Sequence, residues 1–247
     1  MLKPSNNLLI IFVKYPQAGR VKTRLAKDVG KRKAADLYRL FTEAVLKRTE
    51  GENFKRIICY TPQDKEKEIK KWLGSDGLEF CPQKGRGLGE RLCNAFGFAL
   101  GSSGSRRIVA IGSDSPLIDK EVVHAAFKAL ETKQCVLGPA VDGGYYLIGL
   151  SSLSPVRKDR ATGKEKEVSN GLKREVFKGI GWSTRKVFTQ TVARLKRLKI
   201  SYRLLDTSFD VDRYKDIACL RQKIGSSLQI NPSGLKPIAH ALRRIAR

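Results

Sequence analysis

The sequence predicts an α/β domain: a mixed, mostly parallel sheet with helices on both faces. Three observations point there. Short apolar runs alternate with amphipathic helical stretches along most of the chain, the pattern of βαβ units. Two of the runs, residues 8–13 and 108–111, are continuously apolar, as strands covered on both faces are. Several runs then end abruptly in turns of Gly, Pro and a single acid, and the carboxyl ends of such strands are where open α/β sheets place ligands. With 247 residues and 41% hydrophobic content, the chain can bury one sizeable core.

The first strand, residues 8–13, is too short for a signal-peptide core or a membrane span. The loop behind it carries Lys14, Gly19, Arg20, Lys22, Thr23 and Arg24. Fixed cations and backbone N–H groups directly after a first strand suit a phosphate. A solvated basic loop is the plain alternative, and the loop is neither a Walker sequence nor a GxGxxG fingerprint. Residues 31–49 space Ala34, Leu37, Tyr38, Phe41, Ala44 and Val45 as one helical face. Residues 56–60 read as a strand, 64–73 as a charged surface helix and 78–81 as a short strand.

A glycine-rich basic turn with Gly85, Gly87, Gly89 and Arg91 opens the next helix. Glycines there suit close approach of a ligand to the backbone, or an ordinary loop. The run ending in Gly112-Ser113-Asp114-Ser115-Pro116 puts Asp114 at the lip of a crevice. A lone carboxylate in that place suits a hard divalent cation, or else caps the helix that begins near Asp119. Residues 121–132 form that helix. Two apolar strands then flank Asp142-Gly143-Gly144, a hairpin signal that gathers Asp142, Tyr145 and Tyr146 at a second glycine-lined edge. The two tyrosines point to opposite faces, so one at most lines a crevice.

Residues 157–175 are dominated by charge and read as an exposed excursion from the core. After it, Ser183 or Thr184 is placed to cap a helix bearing Val187, Phe188, Val192, Leu195 and Leu198. A last strand, residues 200–205, leads to Asp210-Val211-Asp212 and a helix over 214–224. Residues 1–230 are expected to form one domain, with 231–247 a basic tail helix at its edge.

Charge bounds the partners. The chain carries 49 Lys and Arg against 24 Asp and Glu, a formal charge of +25, which favours anionic partners. The basic residues are spread out, with no zinc-finger spacing, aromatic RNA-binding signature or helix-turn-helix, and this argues against dedicated nucleic-acid binding. Five scattered cysteines without a CxxC pair and only two histidines argue against a zinc site or a disulfide framework and favour a reducing cytoplasm. No membrane insertion is expected, and the oligomeric state is not legible.

Six motifs in one order carry a resemblance: the first loop with Lys14, Pro16, Gly19 and Lys22-Thr23-Arg24-Leu25; Leu88-Gly89-Glu90-Arg91; Gly112 to Pro116; Gly138-Pro139 with Asp142-Gly143-Gly144-Tyr145; Trp182-Ser183-Thr184; and Asp210-Val211-Asp212. Together they resemble the DUF2064 family, the radical-SAM/selenodomain-associated transferase 1 group, over about residues 8–222. The resemblance implies a single Rossmann-like GT-A domain of the nucleotide-diphospho-sugar transferase type. It implies a glycosyltransferase-like enzyme that uses a nucleotide or nucleotide-sugar donor, a small-molecule acceptor and Mg²⁺ or Mn²⁺.

Under that resemblance Asp114 stands where the GT-A DxD motif holds metal, and Asp212 is a second ligand, with Asp210 the alternative to it. Lys14, Gly19, Lys22, Thr23, Arg24, Gly89 and Arg91 would bind nucleotide and phosphate. Gly143, Gly144, Tyr145 and Trp182 would face the acceptor, with Asp142 and Asp114 catalytic. The rival reading is nucleotidyl transfer with release of pyrophosphate; a basic nucleic-acid-binding protein is the third. Residues 157–175 depart from the family pattern.

Overall fold

A computed structural model gives the fold and describes residues 6–51, 53–103, 107–151, 175–230 and 232–245. Seven strands form one sheet in the order β3-β2-β1-β4-β6-β5-β7. They are β1 (Asn7–Lys14), β2 (Lys55–Thr61), β3 (Leu78–Pro82), β4 (Arg107–Gly112), β5 (Cys135–Pro139), β6 (Tyr145–Ser151) and β7 (Tyr202–Leu204). β1 pairs in parallel with β2 and with β4, and β2 with β3. β6 runs antiparallel to both β4 and β5, and β7 is parallel to β5. The sheet is therefore mixed and mostly parallel, as the alternation of elements predicts. The expected strand over 200–205 is shorter, and the hairpin forms at the Asp-Gly-Gly turn between β5 and β6.

The described residues form eight α-helices: α1 (Ala26–Val29), α2 (Lys31–Arg48), α3 (Glu66–Leu73), α4 (Leu88–Ser103), α5 (Lys120–Ala129), α6 (Val187–Arg197), α7 (Tyr214–Ile230) and α8 (Leu235–Ile245). Alternation along β1 divides the core. Leu8 and Ile10 face Leu92, Phe96 and Ala99 of α4 and Leu195 of α6, while Leu9, Ile11 and Val13 face Val45 of α2, Ile69 of α3 and Val123 and Phe127 of α5. Both faces of β1 are thus dry, which is why its sequence is apolar from Leu8 to Val13.

A third cluster joins Leu37 and Phe41 of α2 to Ile217, Leu220 and Ile224 of α7 and Leu235, Ile238 and Leu242 of α8. The last helix is therefore seated in the core, with its basic side chains Lys236, Arg243 and Arg244 on the exposed face. Ile238 is fully buried, so Ile238→Ala should lower stability by about 2–5 kcal/mol. A urea midpoint equal to that of the parent would refute this seating. Of the charged stretch 157–175 only Glu175 lies within the described residues; Arg194 of α6 donates to its carbonyl at 2.7 Å and to its carboxylate.

Candidate active site at the β1/β4 switch point

The chain leaves β1 toward β2 on one side and leaves β4 toward β6 and β5 on the other. Loops that diverge in this way open a crevice beyond the strand ends, the usual ligand site of open α/β sheets. The crevice walls are braced from below by Tyr38 of α2. Its hydroxyl accepts from the Lys14 backbone N–H at 2.8 Å and pairs with Ser113 Oγ at 2.7 Å, so one buried phenol ties the β1 loop to the β4 loop.

Lys22 occupies the centre. Its Nζ donates to Asp114 Oδ2 and to Asp212 Oδ1, both at 3.1 Å, and Arg24 Nη1 donates to Asp212 Oδ2 at 3.3 Å. The three partners lie 92 and 190 residues apart along the chain, so only the tertiary fold assembles them. The Lys22 side chain is 4% exposed, against 37% for Asp114 and 41% for Asp212: the cation is buried and its acids look outward. Burial alone would lower the Lys22 ammonium, but the charges of Asp114, Asp212 and Asp210 outweigh it and hold it above its ordinary value. Burial pushes Asp114 upward, and the Lys22 charge and hydrogen bond more than reverse that, leaving it below the usual carboxylate range.

Lys22 has φ 45°, a left-handed backbone that costs a non-glycine residue about 1–3 kcal/mol. The strain is held because residues 22–25 must turn into α1: the Ala26 N–H bonds the Lys22 carbonyl at 2.8 Å. The result is an ammonium held at one point in the crevice. Asp210 lies beside it, accepting a hydrogen bond from Ser115 Oγ. Burial, then the nearby Asp114 charge, push its carboxyl up to about 7.

Asp119 caps α5 with its own carboxylate, accepting from the Val122 N–H at 3.2 Å, so Asp114 is not that helix's cap. Likewise Asp216, not Asp212, caps α7, accepting the Asp212 and Arg213 N–H groups at 3.0 and 2.8 Å. Asp142 does serve its hairpin, with Oδ1 accepting from the Gly144 N–H at 2.8 Å. It remains exposed, and its charge reaches Asp210.

The remaining predicted residues fall in two groups. Lys14 lies near enough to Asp114 to help hold it ionised, and Gly19 turns the same loop at φ 79°. Thr23 follows Lys22 and is exposed. Arg91 instead braces the glycine loop: Nε donates to the Gly85 carbonyl at 3.1 Å and Nη1 to Gln83 Oε1 at 3.3 Å. Gln83 in turn donates to the carbonyls of Val13 and Cys59, at 3.2 and 2.8 Å. The sequence gives no sign of that buried glutamine; a lone polar residue just past the end of a short strand has no periodic signal.

Gly89 and Trp182 meet each other: a Cβ on Gly89 would lie 2.3 Å from the indole Nε1. Tyr145 is edge-on to Trp182 at 6.4 Å, while Tyr146 faces the other side of the sheet and donates to the Asp206 carbonyl at 3.0 Å. Gly143 has φ 90°, and a Cβ there would stand 2.1 Å from the Arg185 carbonyl oxygen. Neither element is a soft side chain, so Gly143→Ala should cost more than about 2 kcal/mol from backbone conformation and overpacking. Thermal unfolding checks this; a melting temperature within a degree of the parent would refute the contact.

Among the described residues no group of three or more His, Cys, Asp or Glu converges as a full metal shell, and no helix is long and apolar enough to cross a membrane.

This chain is similar to a crystal structure from Desulfovibrio desulfuricans G20 provisionally described as a nucleotide-diphospho-sugar transferase. The identity is 33%, covering 97% of this chain and 95% of that one, with a TM-score of 0.80. The fold alone is shared with 4-diphosphocytidyl-2C-methyl-D-erythritol synthase from Anaerococcus prevotii (9% identity, 90% and 100% coverage, TM-score 0.54). It is also shared with a cytidylyltransferase from Leptospira borgpetersenii (12% identity, 94% and 97% coverage, TM-score 0.52). No curated protein matches the chain. The model of the DUF2064 family, described as an uncharacterized protein conserved in bacteria, matches residues 44–184, and the chain belongs to that family.

Proposed function

We propose that the protein is a transferase that uses a nucleotide-activated donor, and that it passes a sugar from a nucleotide-diphospho-sugar to a small acceptor. The observation that carries this is the single buried ammonium of Lys22 between the strand-end carboxylates Asp114 and Asp212. A fixed cation flanked by acids can hold a diphosphate and a divalent ion side by side. The 33% identical structure described as a nucleotide-diphospho-sugar transferase supports the reading.

Lys22 and Arg24 bind the diphosphate, with Lys14 at the mouth of the same loop. Charge on the departing nucleoside diphosphate grows in the transition state, and cations already in place stabilise it without reorganising. Asp114 and Asp212 offer hard oxygen donors on one side of the crevice, the chemistry Mg²⁺ or Mn²⁺ takes when phosphates and water complete its shell. Such an ion, held by those two carboxylates, supplies Lewis-acid neutralisation of the leaving group. Asp142 has one oxygen committed to the Gly144 N–H, which leaves the other to accept the acceptor hydroxyl's proton.

Nucleoside triphosphates and UDP-, GDP-, CDP- and ADP-sugars, each with Mg²⁺ or Mn²⁺, test the reading by thermal shift and calorimetry. A nucleotide-sugar should raise the melting temperature and bind more tightly than the triphosphate of the same base. Preferential triphosphate binding, with pyrophosphate formed from a sugar phosphate, would replace it with nucleotidyl transfer. Salt-dependent binding of RNA or DNA with no nucleotide affinity would sink both.

A further inference from the structure

The segment 181–186 bridges the two glycine-lined edges of the crevice. Trp182 lies on Gly89 at the start of α4, and the Arg185 carbonyl lies against Gly143 in the β5–β6 turn. Further bonds fix it. The Phe188 N–H donates to the Gly143 carbonyl at 2.9 Å, the Gly181 N–H to Gln190 Oε1 at 2.7 Å, and Thr184 Oγ1 accepts from the Lys186 N–H at 3.2 Å. Ser183 is held at φ 65°, strain that persists because its neighbours are so fully tied. The charged side chains this braced segment presents to solvent are Arg185 and Lys186, beside Ser183 and Thr184.

Their charge is unmatched. From residue 176 to residue 205 the chain has eight Lys and Arg and no acid. Lys178 and Arg194 in that stretch pair with Glu175, but Arg185 and Lys186 form no ion pair among the described residues. Asp142, the acid next to Gly143, turns an oxygen to the Gly144 N–H instead. The backbone that carries these two exposed cations thus lies against Gly143, the glycine next to the carboxylate placed to receive the acceptor's proton.

We propose that Arg185 and Lys186 anchor a phosphate carried by the acceptor, apart from the hydroxyl that reacts. The inference rests on the transferase reading above. Two adjacent cations match the charge of a phosphate monoester, about −1.5 to −2 near pH 7; a single carboxylate would leave one cation unmatched. The guanidinium fork also fits two phosphate oxygens at once. Lys196, Arg197 and Lys199 cannot share the task. They sit at the far end of α6, roughly 15 Å along the helix by its rise per residue, beside the start of β5 and β7.

The test uses the full chain with the donor site filled by whichever of UDP, GDP, CDP or ADP binds best with Mg²⁺. Inorganic phosphate is then titrated by calorimetry at constant ionic strength, with acetate as the carboxylate arm. Phosphate should bind saturably and at least tenfold more tightly than acetate. Arg185→Ala/Lys186→Ala should weaken phosphate at least tenfold while the nucleotide affinity and melting temperature hold. Lys196→Ala/Arg197→Ala should change neither. Absence of saturable phosphate binding, acetate binding as tightly, or phosphate binding that survives the Arg185→Ala/Lys186→Ala change would overturn the anchor. A chain that binds none of the four nucleotides fails at the transferase reading instead.

Discussion

Lys22→Met should cost the protein both its donor site and part of its stability. Methionine keeps the apolar stem and the left-handed backbone, so the change isolates the ammonium. Without it Asp114, Asp210 and Asp212 face one another, and the remaining ion pair is that of Arg24 with Asp212. Breaking a fully buried ion pair costs about 3–5 kcal/mol. Here the two acids are 37% and 41% exposed and regain some water, so the expected loss is about 2 kcal/mol. Removal of one charged partner from a diphosphate contact costs about 2–5 kcal/mol in binding, so nucleotide affinity should fall by about 100-fold.

The loss should depend on pH in a defined direction. Lys22 depresses the Asp114 carboxyl below its ordinary 3.8, so the pair's stabilisation is fully present above that value and fades as pH falls through the folded value. Parent and variant should therefore differ in unfolding free energy at pH 7, in EDTA, and the gap should narrow as pH falls below 3.8. A gap that is constant across this range would mean that Lys22 acts through packing and not through charge.

The sheet and most helices were legible because they rest on local periodicity. β1 and β4 are apolar on every residue that the sheet covers twice, and α2 repeats its buried face through Ala34, Leu37, Tyr38 and Phe41. The site was legible in a different way. Lys22, Asp114 and Asp212 stand out in the sequence as charges in loops that follow strands, but no pattern in it says that one ammonium touches both acids. That contact is created by the strand order, which places β4 beside β1 and brings the loop after β7 over both.

Residues acting through the backbone were the hardest to read. Gly89 and Trp182 look like ligand contacts in a motif, yet what the fold shows is one packing against the other. Arg91 looks like a phosphate clamp, and its guanidinium is seen holding Gly85 and Gln83. Motif spacing records that residues are needed together. It does not say whether they meet a ligand or each other.

Asp114→Asn separates the roles that Asp114 is proposed to combine. The amide keeps the size and can still accept from Lys22 Nζ, so the fold should hold to within about 1 kcal/mol, the net worth of an ordinary hydrogen bond. Its charge is gone, however, and a neutral amide is a poor partner for a hard divalent ion that takes one or two carboxylates. Nucleotide binding measured with Mg²⁺ should weaken by about 30- to 100-fold, a loss of roughly 2–3 kcal/mol on the scale of a charged contact. Binding measured in EDTA should change little, or strengthen, because Lys22 is freed from one of its two acids and can turn wholly to phosphate. If the Mg²⁺-dependent part of the affinity survives in Asp114→Asn, the strand-end acid does not hold the ion, and Asp212 with Asp210 becomes the place to look.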